Sequence, residues 1–356
     1  MKPPGMHGTS PAASPHDLSG YLARLGETAD LAAESAGGYE DVFCRLAGFA
    51  IRLRFAGPAL VDRLMPALAH VRTGPIDLPA LTIRLFDSAS TGTEPPSAPW
   101  GDGVFHDFGK VQASVDGRVN GVFDEGTFSV YRPRSGQGLY WVRAATDILP
   151  AETGAPLVTI LHLWLATRDV QVAHAGAVGR PDGCVLVVGH SGAGKSSTVL
   201  SCLPSELGLL GEDHCLVDVR EHPVAHTLFS SAKANADTIA RLPFLEPMVS
   251  NPDRPRGEKA LCLLADHLPE KFIARAPVRA VAIPRVTGRT DTSVAPATGA
   301  AALAAVAPST LAQLRGANGD AFTRMARLVR AVPCHYLDVG TDSDGVAAAI
   351  RSLVDA

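Results

Sequence analysis

The chain has 356 residues, 46% of them hydrophobic and 19% charged, and a formal net charge of −4. That balance fits a globular protein of about two domains, gives no general basic field for nucleic acid or an anionic membrane, and contains no run near the ~18 apolar residues of a membrane span. A cytoplasmic location is the expectation.

The N-terminal MKPPGMHGTSPAASPHD has no apolar signal-peptide core, so residues 1–20 read as a disordered leader. A short helix follows at DLSGYLARLGETADLAAESA. Alternation at Ile51, Leu53 and Phe55 then predicts a half-buried strand. GPALVDRLMPALAHV has helical spacing that Pro66 must kink or shorten, and LTIRLF is a further strand. STGTEPPSAPWGDG reads as a mobile loop, and residues 104–142 as a β-meander. Residues 21–152 thus make a small α+β N-terminal domain that could recognise a substrate, dock a subunit or cover a nucleotide.

A boundary is expected near residues 150–155. Beyond it, PLVTILHLWLATRD predicts a helix with Pro156 in its first turn, leading into VQVAHAGAVG as one strand. Strands follow at Val185–Val188, CLVDVR, VRAVAIPRV and HYLDV, with an irregular stretch from Glu221 to Lys259. Helices are expected at Ala300–Val306, at Asp320–Val332 and at the C-terminus. Alternating strands and helices around a glycine loop predict an α/β nucleotide-binding core over residues 153–356. The six cysteines form no C-x-x-C pair, which argues against a zinc knuckle or disulfide framework and for buried thiols.

The chemistry concentrates in VLVVGHSGAGKSSTVL. Gly189, Gly194, Lys195 and Ser196 satisfy G-x-x-x-x-G-K-[ST], the P-loop or Walker A pattern. Gly189, Gly192 and Gly194 let the backbone curl so that amides of the loop, including those of His190, Ser191 and Ala193, can face phosphate oxygens. Lys195 brings a full charge to the β/γ bridge, the Ser196 hydroxyl can coordinate Mg2+, and Ser197 completes the expected ATP site. Downstream, GLLGEDHCLVDV places Glu212 and Asp213 before an apolar strand. One carboxylate there can hold metal and the other can take a proton from an attacking hydroxyl, although GEDH is also good composition for a solvated turn. His174, among the small residues of AHAGAV, could touch the γ-phosphate or move a proton; a satisfied core histidine is the plainer alternative.

Together, HAGAV, GHSGAGKSS and the acid pair of LLGEDHCLVDV resemble the HPr kinase/phosphorylase family of the phosphoenolpyruvate-carboxykinase-like fold. The resemblance covers about residues 155–260 well and the remainder weakly. It implies transfer of the ATP γ-phosphate to a serine or threonine hydroxyl of a peptide or protein, with His174 and Glu212 serving proton transfer and Asp213 and Ser196 the metal. It also implies a possible homo-oligomer; the charge balance, not the resemblance, argues against nucleic acid or membrane partners. Glu212 stands where the family has aspartate, so Asp213 could take over as base. The glycine- and arginine-rich segments of the bifunctional enzymes are not found, and the chain looks more like divergent peptide-precursor kinases of the lasso-peptide type. FSSAKAN and RGEKA resemble segments of those relatives and make Lys233 and Lys259 candidates for substrate contacts, or simply exposed loop lysines. A small-molecule alcohol kinase and a non-catalytic nucleotide-binding regulator remain alternatives. No L-S-G-G-Q-like segment supports a transport ATPase, and no N-K-x-D segment an assembly GTPase.

Overall fold

A computed structural model describes residues 15–99, 110–115, 118–314 and 319–356. The first sheet is built from β1 (Tyr39–Leu46), β2 (Phe49–Ala56), β3 (Arg72–Thr73), β4 (Leu81–Asp87), β5 (Lys110–Val115), β6 (Arg118–Asp124), β7 (Thr127–Arg132) and β8 (Gln137–Val142), in the order β3-β1-β2-β4-β8-β7-β6-β5. The stretch FCRLAGFAIRLRF, expected as one strand, is the β1–β2 hairpin. Ala47 and Gly48 form its two-residue turn, both with positive φ (47° and 85°), as a tight right-twisted hairpin requires. β2, β4 and β8 run parallel, and the intervening segment is interrupted as Pro66 demands: α2 (Val61–Leu64) stops and a 3-10 turn takes over.

Alternation sends side chains to two faces. Phe86, Leu139 and Trp141 pack on one face against Leu22, Leu25 and Ala29 of α1 (Pro15–Ser35), which begins inside the stretch read as leader; residues 1–14 lie outside the described residues. Ile83, Leu85 and Tyr140 point the other way. The expected mobile loop opens with a helical turn, α3 (Ser88–Thr91), capped by Asp87, whose carboxylate accepts the Ser90 amide; its residues 100–103 lie outside the described residues.

Past α4 (Pro150–Thr153), the expected helix from Pro156 to Asp169 is shorter. Leu157 takes φ 58°, so α5 spans Val158–Ala166. Its Trp164 is fully buried against the second face of the first sheet, in a cluster that also holds Val172, Leu216 and Phe229. The hydrophobic core therefore runs across the expected boundary at residues 150–155.

The second sheet contains β9 (Val170–Ala173), β10 (Gly176–Arg180), β11 (Gly183–Val187), β12 (Gly208–Gly211), β13 (Cys215–Asp218), β14 (Val224–His226), β17 (Arg275–Val286), β18 (Ser293–Ala297) and β19 (Cys334–Val339). The order is β12-β10-β11-β17-β14-β13-β9, with β19 pairing both β17 and β18. Only β11, β17 and β19 are mutually parallel. VQVAHAGAVG is two strands, because β9 pairs with β13 while β10 pairs with β11 and β12; the chain changes partners at His174–Ala175. The stretch from Glu221 to Lys259 is more regular than expected, since it holds β14, β15 (Ser231–Ala234) and α7 (Ala236–Arg241); β15 pairs with β16 (Ala260–Leu263).

α6 (Lys195–Ser201) and α10 (Ser343–Asp355) pack on one face of the second sheet, and α8 (Gly299–Gln313) and α9 (Gly319–Ala331) cover the other. α8 runs well beyond the expected Val306, continuing through Pro308. All six cysteines are buried and unpaired with one another. The protein is a mixed α/β chain with several sheets, and no helix among its described residues is long and apolar enough to cross a membrane.

Candidate functional site

β11 delivers the chain to Val187 beside Ala282 of β17, and the Val188 amide still bonds Ala282 O at 2.9 Å. There the apolar run ends and the glycine loop begins. Gly192 (φ 84°) and Gly194 (φ 94°) occupy left-handed conformations that L side chains resist. Lys195, the first residue of α6, is 6% exposed, and its Nζ donates to the carbonyls of Gly189 (2.7 Å) and His190 (3.3 Å). Burial pulls its pKa down and the nearby Lys259 charge adds to this, against the opposing pull of Asp213 and Glu212.

Glu212 and Asp213 follow β12 in a turn held tight by Gly211, where an added Cβ would stand 2.2 Å from His214 O. The two carboxylates face different partners. Glu212 is 1% exposed; its Oε2 accepts the Lys233 amide at 2.9 Å, and its Oε1 is buried without a partner. Burial raises the Glu212 pKa to about 7 and the Asp213 charge adds to the rise, while the Ser196 hydroxyl and the Lys233 amide pull the other way.

Asp213 is more open. Its Oδ1 receives His174 Nε2 at 2.9 Å, and its Oδ2 lies 3.4 Å from Lys233 Nζ and 3.5 Å from His214 Nδ1. Burial alone would raise its pKa, but the His174 hydrogen bond and the His214 and Lys233 charges hold it well below the usual carboxylate range. The break between β9 and β10 turns His174 toward the acid pair. Its backbone amide bonds Thr310 Oγ1 (3.1 Å), and Gln313 Nε2 lies 3.3 Å from its Nε2.

The structure thus gathers Lys195, Ser196, Glu212, Asp213, His174 and Lys233. Lys259 is exposed and acts on Lys195 only through its charge. The Ser197 hydroxyl is engaged elsewhere, 2.9 Å from both Thr238 Oγ1 and Arg241 Nη2. His190 is exposed, its Nδ1 2.7 Å from Ser191 O.

Three contributors escaped sequence reasoning. His214, whose pKa burial pushes down to about 4, adjoins the acid pair in sequence and could have been found there. Thr310 and Gln313 lie more than 130 residues from His174 and carry no local signal. Among the described residues, no group of three or more His, Cys, Asp or Glu side chains could hold a metal by itself.

A cleft of about 460 Å3 opens beside the cluster, lined by His214, Lys233 and Gln313 on one side and by Phe128, Leu149 and Thr159 on the other. No residue of the glycine loop lines it.

No model of a known family matches the chain, and no curated protein is similar to it in sequence. Among solved structures, the HPr(Ser) kinase/phosphatase from Coxiella burnetii aligns over 51% of this chain and 95% of its own, with 7% identity and a TM-score of 0.29.

Proposed function

We propose that the chain is an ATP- and Mg2+-dependent phosphotransferase that moves the γ-phosphate to a serine- or threonine-type hydroxyl of a peptide or protein. The observation that carries this reading is the split between the adjacent acids, one buried beside Ser196 at the glycine loop, the other held by His174 and by Lys233, a residue that lines the cleft. A glycine turn with a stray lysine would have no reason to keep a fully buried carboxylate with an orphaned oxygen.

Loop amides and Lys195 would hold the triphosphate. Ser196 and Glu212 form an oxygen pair suited to a hard cation, so Glu212 takes the metal role expected of Asp213. When bound, ATP supplies the phosphoryl group and Mg2+ neutralises charge building on it. Asp213, whose carboxylate form His174 and Lys233 favour, would orient the acceptor hydroxyl. Attack by the acceptor hydroxyl would release ADP, and the hydroxyl proton would pass to Asp213. His174 and Lys233 keep that carboxylate aimed.

The test is incubation with γ-labelled ATP, Mg2+ and serine-containing peptides, each weighed for one added phosphoryl group. Lys195→Ala should lose at least about 100-fold in transfer, in the range of a removed preorganised charge contact. Equal rates for that variant and the parent would end the proposal. Label on a metabolite instead would select the small-molecule kinase, and nucleotide binding without turnover the regulator.

A further inference from the structure

A second cleft, of about 480 Å3, lies away from the glycine loop at the seam between the two sheets. The β1–β2 hairpin and β3 contribute Arg45 and Arg72, the 3-10 turn His70, and the second sheet His226 and Arg275. Among the described residues, no carboxylate lines it.

What marks the cleft is that three arginines line one pocket with no carboxylate among its described lining residues; several arginines elsewhere are neutralised by an acid. Arg52 and Arg54 pair with Asp41, Arg84 with Asp30, Arg180 with Asp182 and Asp355, Arg220 with Asp218, Arg285 with Asp338, and Arg351 with Glu206. Among the described residues, Arg45, Arg72 and Arg275 have no such partner; the one hydrogen bond from an Arg45 guanidinium nitrogen goes to Gly48 O at 3.0 Å. Like charges drawn from three distant parts of the chain repel one another, and an anion between them relieves that repulsion. Burial lowers the pKa of His226, which lines the cleft, and the Arg275 charge lowers it further against the pull of Asp218.

We infer that this cleft is a binding site for a small phosphate-bearing anion, distinct from the glycine loop and gripped by Arg45, Arg72 and Arg275. The cleft is the size of a small-molecule pocket, about 300–1,000 Å3, not of a macromolecular interface. Guanidinium forks match phosphate oxygens two at a time. The floor is fixed, since His70 Nε2 lies 2.7 Å from Thr227 Oγ1 and its ring lies 4.8 Å from that of Phe272.

Carboxylates share the fork geometry, so the test includes both. Inorganic phosphate, pyrophosphate and citrate are titrated calorimetrically into the full chain carrying Lys195→Ala, which removes the glycine loop's lysine charge; the arginine substitutions then assign what binding remains. Pyrophosphate should bind one-to-one and more tightly than phosphate or citrate, with affinity falling as salt is added. Adding Arg72→Ala or Arg275→Ala should weaken it about tenfold or more each. Both side chains are exposed, and thermal melts with the Arg72→Gln and Arg275→Gln forms check that the fold persists. No heat with pyrophosphate, equal affinity after the arginine substitutions, or citrate binding as tightly as pyrophosphate would each overturn the inference.

Discussion

Replacing Glu212 by Gln should make the nucleotide-free protein more stable and its transfer activity nil. The side chain is 1% exposed, and burial together with the Asp213 charge lifts its pKa from 4.5 to about 7. A carboxyl raised on folding holds its proton in the native state over a pH range where the unfolded chain has already lost it. Stability therefore falls as pH rises through that window, and above about pH 7 the ionised group costs the fold about 3 kcal/mol. Gln keeps an oxygen for the Lys233 amide and never ionises. Urea unfolding of parent and variant in parallel cancels the titrations that do not sense Glu212; that of Asp213 lies at lower pH than the window compared. The gap should be near zero at pH 4, open between pH 5 and 7, and level off at about 3 kcal/mol in favour of Gln by pH 8. A gap that stays flat with pH would show that Glu212 ionises as a solvated acid does, and the case for an orphaned carboxylate awaiting a cation would go with it.

Asp213→Asn should behave with the opposite sign. Its carboxyl is held well below the usual range, so the stability it contributes is present at neutral pH and is lost only in strong acid; the variant should be weaker than the parent at pH 7 and converge with it on acidification. Gly176→Ala should cost about 1–3 kcal/mol in urea and weaken nucleotide binding, because the new Cβ would stand 2.5 Å from Val199 Cγ2 of α6 and 3.0 Å from Glu212 O. Gly192→Ala meets no atom within 4 Å, so only its positive φ should count, at about 1 kcal/mol. Trp164→Ala removes a fully buried ring set edge-on to Phe49 at 5.7 Å and should cost about 3–5 kcal/mol by denaturant melt.

How far the sequence could be read followed how local each signal is. The glycine loop was legible because a short run of glycines, lysine and serine states its own backbone requirement, and the structure gives Gly192 and Gly194 the left-handed φ they permit. The division of HAGAV into two strands was not, since β9 and β10 differ only in which distant strands they pair with. Pro308 reads as a stop signal, yet α8 passes through it, held by packing of Val306, Ala307 and Thr310 that no propensity encodes. The cationic cleft was hidden outright: Arg45, Arg72 and Arg275 are unremarkable until the fold sets β3 and the β1–β2 hairpin against the second sheet.

That extension of α8 bears on the candidate site. Ending at Val306, the helix would lack Thr310, which takes the His174 amide, and Gln313, which lies beside its imidazole. The backbone at His174 belongs to neither flanking strand, so without Thr310 one buried amide would lose its acceptor and the ring its fixed height over Asp213. The Asp213 carboxylate would then keep Lys233 and lose the contact that sets its direction. α8 is thus a positioning element for the cleft-side acid, as β15, through the Lys233 amide, is for the loop-side one. The two acids are neighbours in the chain and are aimed by separate parts of the fold, as the proposed division of roles between them requires.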